Sequence, residues 1–351
     1  MLESLTDIRA VLAAGVLSAV AFAWPSATAD EFRLEAATLP APLIDSDKVN
    51  TVIEASAVEP IGDGRRFLLA HDKHPALYVV DLATGRIMGE PITSPKLPAP
   101  SPLGGPKWEG MARDSEGNFY MIGAHVGKTD EERASKSVLL RFRLPDRDPP
   151  AIEDASVVSW QISRSFVEAL KAQGLSPKQV GERKIEGLAI RESKGADGSI
   201  HRELVIGLRN PSDKVRAFVA DITASPSPDA ELELKPLFAF EAEPREGVTS
   251  ELTSLEYVAA LRGFLAITAS EDKSNTFHGN TLYFIPDGET AQARKIATFE
   301  VAMKAEGLAV LGVTSEANCT SVKLLITYDN DPHATKIPSR FQTATLVCKG
   351  R

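Results

Sequence analysis

A four-residue motif that recurs along the chain constrains the fold more than any other feature of the sequence. Each copy has the form Glu-Gly-apolar-Ala or a variant of it, and runs into an apolar segment typical of a β-strand. The copies start 53 to 77 residues apart, a spacing typical of repeat architectures. They are Glu54–Ala57, Glu109–Ala112, Glu186–Ala189 and Glu306–Ala309, with a degenerate copy at Thr253–Glu256.

Further strands follow each copy. The runs are short, rich in Val, Ile, Leu and Phe, and bounded by Gly, Pro, Asp or Asn, as expected for strands joined by tight turns. The second strands are Phe67–Asp72, Phe119–His125, Leu204–Asn210, Phe264–Asp272 and Leu324–Asp331. Four units also contain a third and a fourth strand, whereas the last unit ends after three. Repeated four-stranded antiparallel units are the blades of a β-propeller. The sequence therefore predicts an all-β protein, a single β-propeller of five four-stranded blades.

The N-terminal stretch Glu31–Ala37 could supply the missing strand of the last blade and so hide two sheet edges. Six blades remain an alternative, if the long interval from residue 109 to residue 186 contains two units. That interval also contains a predicted helical insertion near residues 163–175. Its helix, Phe166–Gln173, would have a capping box from Ser165 to Glu168 and would stop at Gly174.

The first 29 residues have the layout of a secretory signal peptide. Arg9 precedes the apolar run Val11–Trp24, and the small residues of Pro25–Ala29 follow it. A membrane anchor is the alternative, but the run of about 14 residues is shorter than the roughly 20 that a spanning helix needs. We expect cleavage near Ala29, residues 30–351 as one domain, and a periplasmic or secreted product that has no membrane contact after cleavage.

The two cysteines, Cys319 and Cys348, fall at the start of one predicted strand and the end of the next. Those two points face each other in an antiparallel hairpin, and an exported chain meets an oxidising compartment. We therefore predict a disulfide between them. A two-cysteine metal site would need further ligands close by.

Composition narrows the set of partners. The chain has 48 acidic and 39 basic residues and a net charge of -9, which disfavours nucleic acid. We expect a monomer whose partner is a small molecule, such as a phosphorylated ligand.

Strand direction predicts where chemistry could occur. In a meander, first strands begin on the face where second strands end, so both sets of polar residues meet at one mouth of the central channel. Crowded carboxylates tolerate one another best around a cation, and oxygen-rich loops suit Ca²⁺. The alternative is a structural role, in turns or in ion pairs between blades. The predicted calcium ligands are Glu54, Glu109, Glu186, Glu306, Asp72, Asp272, Asp329 and Asp331.

The same mouth provides candidates for catalysis and substrate binding. His71 and His125 lie at the ends of the second strands of the first and second repeat units. They could transfer protons, although a loop histidine is usually only solvated. Lys73, Arg209 and Asn210 are the predicted substrate-binding residues. Arg209 could bind a phosphate or carboxylate through two hydrogen bonds, or form a salt bridge between blades.

Four segments carry a resemblance to a known family. Trp108–Ala112, Ile185–Ile190, Leu208–Pro211 and Ala305–Ala309 resemble an uncharacterised group of secreted bacterial β-propellers, which is similar in turn to the esterase-like phytase propellers. The resemblance implies a calcium-dependent phosphoester hydrolase that works at the channel mouth.

Two functions follow as expectations. The first is a metal-assisted hydrolase of phosphoesters or other esters, in which Ca²⁺ polarises the substrate and His71 or His125 moves the proton. The second is a non-catalytic periplasmic propeller that binds a ligand or a protein on the same face, since the fold alone does not decide between them.

Overall fold

The structure is a computed structural model. It describes residues 32–36, 38–45, 48–49, 53–62, 64–98, 106–145, 147–274, 276–288, 292–299, 303–316, 319–329 and 338–348. The predicted signal peptide and Asp331 lie outside the described residues, so both stay predictions. Among the described residues, none of the helices has the length and apolar character needed to cross a membrane.

The strands form five antiparallel blades, which confirms the predicted five-bladed β-propeller. Before the first blade come β1 (Phe32–Ala36) and the two-residue strands β2 (Ala41–Pro42), β3 (Ile44–Asp45) and β4 (Lys48–Val49). Blade 1 contains β5 (Ala55–Ile61), β6 (Arg66–His71) and β7 (Leu77–Asp81), and residues 86–92 take its fourth position through bridges from Ile87 to Val80 and from Ile92 to Leu77.

The other four blades each have four named strands. Blade 2 is β8 (Trp108–Arg113), β9 (Asn118–Gly123), β10 (Leu139–Arg143) and β11 (Val158–Trp160). Blade 3 is β12 (Lys184–Lys194), β13 (Ile200–Asn210), β14 (Val215–Asp221) and β15 (Lys235–Phe240). Blade 4 is β16 (Ser250–Val258), β17 (Gly263–Glu271), β18 (Phe277–Pro286) and β19 (Arg294–Phe299). Blade 5 is β20 (Lys304–Glu316), β21 (Cys319–Asp329), β22 (Arg340–Cys348) and β1.

The N-terminal strand closes the ring, as predicted. β1 pairs antiparallel with β22 from Phe32 opposite Cys348 to Ala36 opposite Ala344. Phe32 is 3% exposed and packs edge-on against Phe284 of blade 4, with ring centroids 5.8 Å apart. Strand β1 therefore completes the last blade and covers its outer edge.

The helical insertion lies between blades 2 and 3. It consists of α2 (Ser163–Ala172) and α3 (Pro177–Gly181), and a short helix α1 (Asp130–Lys136) precedes β10. The predicted capping box is wrong, because α2 begins before Ser165, whose backbone N–H donates to Glu231 Oε1 at 2.8 Å. The predicted stop is confirmed, since Gly174 follows the helix with φ of 79°.

A β-bulge near the start of each innermost strand explains the repeated motif. The innermost strands β5, β8, β12, β16 and β20 contact one another around the ring. Each of them pairs with the second strand of its blade, and in each pair the innermost strand has one extra, unpaired residue. The bulged residues are Ser56, Glu109, Glu186, Thr253 and Glu306.

The bulges correct one part of the sequence alignment. Glu54 was aligned with Glu109, but the counterpart of Glu109 in blade 1 is Ser56, two residues further on. The error arose because Glu54-Ala-Ser-Ala57 matches the motif by residue type, whereas the bulge is set by pairing with β6. The alignment of Thr253 was correct.

The glycine after the bulge lets neighbouring blades approach. A methyl group at Gly187 would lie 2.8 Å from Cβ of Leu255, and one at Gly110 would lie 2.7 Å from Cβ of Leu188. Side chains of the next innermost strand thus fill the space above each glycine. The Glu-Gly pair therefore combines an inward-directed carboxylate with close packing between blades.

The disulfide prediction stays open. Cys319 begins β21 and Cys348 ends β22, and these two strands are neighbours in blade 5. The side chains of both cysteines lie outside the described part of the chain.

We expect Gly187→Ala to lower the free energy of unfolding by about 1–3 kcal/mol, because the added methyl group overpacks the contact with Leu255. Urea unfolding measured by circular dichroism checks this. The matched control is Gly181→Ala, since no heavy atom lies within 4 Å of the added methyl group there. Equal stability of the two variants would contradict a packing role for Gly187.

Candidate functional site

The position two residues before each bulge decides the chemistry of the channel mouth. In blades 2, 3 and 5 it is a lysine, so the repeat reads Lys-x-Glu-Gly at Lys107, Lys184 and Lys304. In blades 1 and 4 it is a glutamate, Glu54 and Glu251, before a bulged Ser or Thr. Because every other residue of a strand shares a face, each lysine lies beside the glutamate of its own strand.

These side chains form a continuous series of ion pairs, which we call the ion-pair belt. It passes through all five blades and has six carboxylates and four cations. The members are Asp72, Lys107, Glu109, Lys184, Glu186, Arg209, Glu251, Glu271, Lys304 and Glu306.

Two lysines link blades 1, 2 and 3. Lys107 Nζ lies 2.7 Å from Asp72 Oδ1 and 2.8 Å from Glu109 Oε1. Lys184 Nζ lies 3.2 Å from the same oxygen of Glu109 and also contacts Glu186 Oε1. Glu109 therefore lies between two ammonium groups, and Lys184 bridges the carboxylates of two blades.

Arg209 and Lys304 continue the belt through blades 4 and 5. Arg209 Nη1 donates to Glu186 Oε1 at 2.9 Å, its Nε donates to Glu251 Oε2, and Nη2 lies 3.4 Å from Glu271 Oε2. Lys304 Nζ lies 3.7 Å from Glu271 Oε2 and 2.5 Å from Glu306 Oε1. The planar guanidinium of Arg209 has several N–H donors, so it can contact three carboxylates at once.

The pKa values of adjacent carboxyl groups are shifted in opposite directions. Burial raises the pKa of Glu109 and of Glu306, and the nearby lysines only partly offset this effect. Burial would also raise the pKa of Glu186, but Arg209, Lys184 and Lys304 outweigh it and hold that pKa well below its usual range. Glu186 therefore stays ionised while Glu109 holds its proton more strongly.

The structure brings five of the predicted site residues into the belt: Asp72, Glu109, Glu186, Arg209 and Glu306. A sixth, Glu54, forms a separate pair at the same rim, where Lys73 Nζ lies 2.6 Å from its Oε1. Arg209 forms the salt bridge between blades that was its alternative role, since it is on β13 and Glu251 is on β16.

The two histidines lie beneath the surface. His71 is 2% exposed, and its Nδ1 accepts a hydrogen bond from the backbone N–H of Lys73 at 3.0 Å. His125 is 1% exposed and packs edge-on against Phe166. Burial and the nearby Arg183 lower the pKa of His125 to about 3, so its ring is neutral at physiological pH. His125 is thus poorly placed to exchange protons with a bound ligand.

The remaining predicted residues lie outside the belt. Asp272 accepts hydrogen bonds from the N–H groups of Ser274 and Thr276 at 2.8 and 2.9 Å, so it stabilises the turn after β17. Asn210 ends β13 opposite Lys184. Asp329 ends β21 opposite Lys304 and accepts a hydrogen bond from Ser339 Oγ at 3.3 Å.

The described residues do not fit the predicted calcium site. Ca²⁺ takes six to eight oxygen ligands, whereas the carboxylates of Glu54, Glu109, Glu186 and Glu306 each face an ammonium or guanidinium group of the protein. Within the described ranges, no group of three or more His, Cys, Asp or Glu residues is arranged to hold a metal ion.

Sequence reasoning missed the lysines of the belt. The signal was available, because Lys107, Lys184 and Lys304 each stand two residues before the glutamate of a repeat. A search for Lys-x-Glu-Gly would have found all three, together with the neutralisation of the carboxylates.

Comparisons with known proteins identify neither a family nor a function. No protein-family model and no curated protein matches the chain. Among solved structures, the GH62 α-L-arabinofuranosidase domain of Coprinopsis cinerea has a TM-score of 0.48 and 10% identity, over 91% of this chain and 98% of that one. A luciferin-regenerating enzyme has a TM-score of 0.39 and 13% identity, over 87% and 81%.

A third similar structure, hydrazine synthase of Kuenenia stuttgartiensis, has a TM-score of 0.36 and 10% identity over 79% of this chain. The chain spans 65% of that protein's length. At these scores the likeness gives no indication of substrate or reaction.

The opposite pKa shifts predict opposite effects of two Gln substitutions on pH-dependent stability. The pKa of Glu186 is lower in the folded state than in the unfolded state, where it is about 4.3. Ionised Glu186 therefore stabilises the folded state above about pH 4.3, and this stabilisation is lost as the pH falls through the folded-state pKa. Glu186→Gln should therefore reduce the loss of stability below about pH 4.3.

The pKa of Glu109 is raised, so the folded state takes up protons first and stability should rise as the pH falls toward about 4.3. Glu109→Gln should remove that rise. Urea unfolding at a series of pH values measures both slopes. Slopes that change in the same direction in both variants would contradict the assignment.

Proposed function

We propose that the protein is a hydrolase that acts on a small polar ester, carboxylic or phosphoric, bound at the mouth that carries the ion-pair belt. The observation that supports this most directly is the geometry around Lys184, whose Nζ contacts Glu109 and Glu186 while the pKa values of those two groups are shifted apart. Adjacent carboxyl groups with divergent pKa values are typical of acid–base sites.

The roles follow from charge. Glu109 has a raised pKa, which brings it closer to neutral pH, where a general base is most effective. It would take a proton from the attacking water and later return it to the leaving oxygen. Lys107 and Lys184 flank Glu109 and would stabilise the negative charge that develops on the ester oxygen.

Glu186 has a positioning role in this scheme. It stays ionised and contacts Lys184, so it fixes the ammonium group beside Glu109. Arg209 holds Glu186 from the other side at 2.9 Å. No step is assigned to calcium, since the rim carboxylates already face cations of the protein. Export through the signal peptide at residues 1–29 is part of the proposal.

The test is turnover of 4-nitrophenyl acetate and 4-nitrophenyl phosphate by the purified protein. Glu109→Gln should lower kcat by about 10²–10⁴-fold with a smaller change in KM, because the group that moves the proton is lost. The rate should also fall as the pH is lowered through the raised pKa of Glu109, since the base must be ionised. Glu203→Gln is the matched control, because Glu203 is paired with Arg191 outside the belt.

A rate that Glu109→Gln leaves unchanged would contradict the assignment of this site. If neither ester is hydrolysed, a second candidate function is favoured, namely a non-catalytic propeller that binds a polar ligand at this mouth. The extensive pairing of the belt charges supports that candidate, because it gives a rigid polar surface with alternating charge.

A further inference from the structure

A cavity of 590 Å³ lies at the end of the channel opposite the belt. The later halves of the innermost strands and the turns that follow them form its walls. Residues from all five blades contribute, and the walls mix charged and apolar groups. The lining includes Glu59, Ile61, Arg113, Glu192, Glu256 and Leu311.

Glu59 and Glu256 occupy equivalent positions, three residues after the bulges of blades 1 and 4. The other three blades have Ala112, Ala189 and Ala309 at this position. The two blades that lack a bulged glutamate are therefore the two that have a glutamate at this position. Two acidic groups from separate blades thus replace the small residue that the repeat has elsewhere.

Neither carboxylate forms an ion pair with a described residue. Glu59 is 5% exposed, and among the described residues no hydrogen bond reaches its carboxylate, although Arg113 is near enough to lower its pKa. Glu256 is partly exposed as a residue, but its Oε2 is buried without a hydrogen-bond partner in the described part of the chain. A buried polar group without a partner costs free energy, so such a pair calls for a compensating ligand.

The other acidic groups in the wall differ in this respect. Arg202 Nε lies 2.8 Å from Glu192 Oε1 and 3.3 Å from Asp114 Oδ2, so both carboxylates have a cation beside them. Arg113 extends over the ring of Phe119 at 5.3 Å from its centroid. Glu59 and Glu256 are therefore the carboxyl groups of this wall that have no ion pair among the described residues.

The pKa values of Glu59 and Glu256 are shifted upward, as expected for buried carboxyl groups without an ion pair. Burial raises the pKa of Glu256 to about 8. Burial, and then repulsion from Glu256, raise the pKa of Glu59 well above its usual range, with Arg113 acting in the opposite direction. Glu256 therefore holds its proton at neutral pH, and a bound cation would displace that proton.

We propose that this cavity binds a small organic ammonium ligand, with Glu59 and Glu256 as its anionic anchors. A volume of 590 Å³ is within the range of small-molecule pockets. Pro60, Ile61, Val310 and Leu311 in the walls would pack against the carbon chain of an amine.

A bare metal ion fits this cavity less well. Ca²⁺ needs six to eight oxygen ligands, whereas the described lining has two carboxylates without an ion pair. Apolar walls also add nothing to the binding of a metal ion, but they contribute to the binding of an alkylammonium chain.

The test is calorimetric titration of the full-length protein with 1,4-diaminobutane at pH 7. We expect saturable binding to one site, with no binding of the neutral analogue butane-1,4-diol. Glu59→Gln and Glu256→Gln should each raise Kd by about 10- to 100-fold, since each removes a charge-assisted contact. Gln resembles a protonated carboxyl group in shape, so thermal unfolding should show both variants folded.

Two further variants keep the proposal testable. Glu192→Gln is the matched control, because that carboxylate is already paired with Arg202, and we expect its Kd to stay within about threefold of wild type. Gly62→Phe should block the cavity without altering its charge, since the nearest atom to an added Cβ there is Arg113 Nη2 at 3.9 Å.

Three results would overturn the proposal. One is the absence of diaminobutane binding at millimolar concentration, and another is equal affinity in wild type, Glu59→Gln and Gly62→Phe. The third is saturable binding of Ca²⁺ that displaces diaminobutane and is lost in Glu256→Gln, which would indicate a metal site. None of these results depends on ester hydrolysis, which Glu109 governs at the other mouth.

Discussion

The close approach of the five innermost strands is the constraint on which the rest of the structure depends. Each strand must pass within van der Waals distance of the next around a narrow ring, and the small residues after the bulges, glycine in blades 2, 3 and 5, allow this. A methyl group at Gly187 or Gly110 would come within 3 Å of the neighbouring strand's leucine. The bulge beside each glycine turns one side chain toward the channel mouth, so the packing requirement and the placement of charge arise at the same point of the repeat.

The repeat is not uniform, and its variation divides the channel chemically. Blades 2, 3 and 5 place a Lys-x-Glu pair at one mouth, where the lysines offset repulsion among the glutamates. Blades 1 and 4 have Ser56 or Thr253 at the bulge and a carboxylate three residues later, Glu59 or Glu256. One mouth thus combines paired charges of both signs, and the other has two carboxylates without cationic partners in the described structure. Two functions on one ring are physically compatible because the apolar centre of the innermost strands separates the two mouths.

The sequence predicted the fold well and the site only in part. Strand order, five blades and closure by β1 followed from the repeat, because alternation and turn residues are local signals. The predicted grouping of Glu109, Glu186 and Glu306 at one mouth followed from strand direction. One alignment failed for a tertiary reason: Glu54 was aligned with Glu109, although the bulged residue of blade 1 is Ser56. Asp272 has the alternative role of stabilising a turn.

What the sequence determined by itself was the repeat, its strand count and the end of each strand where polar residues collect, since all of these depend on near neighbours in the chain. Only the tertiary structure decided which charges meet. Lys184 contacts Glu109 of the preceding blade, Arg209 joins three carboxylates from two blades, and Glu59 and Glu256 line one cavity. These contacts depend on how far apart the innermost strands lie when the ring closes, and that distance is set by packing between residues remote in sequence.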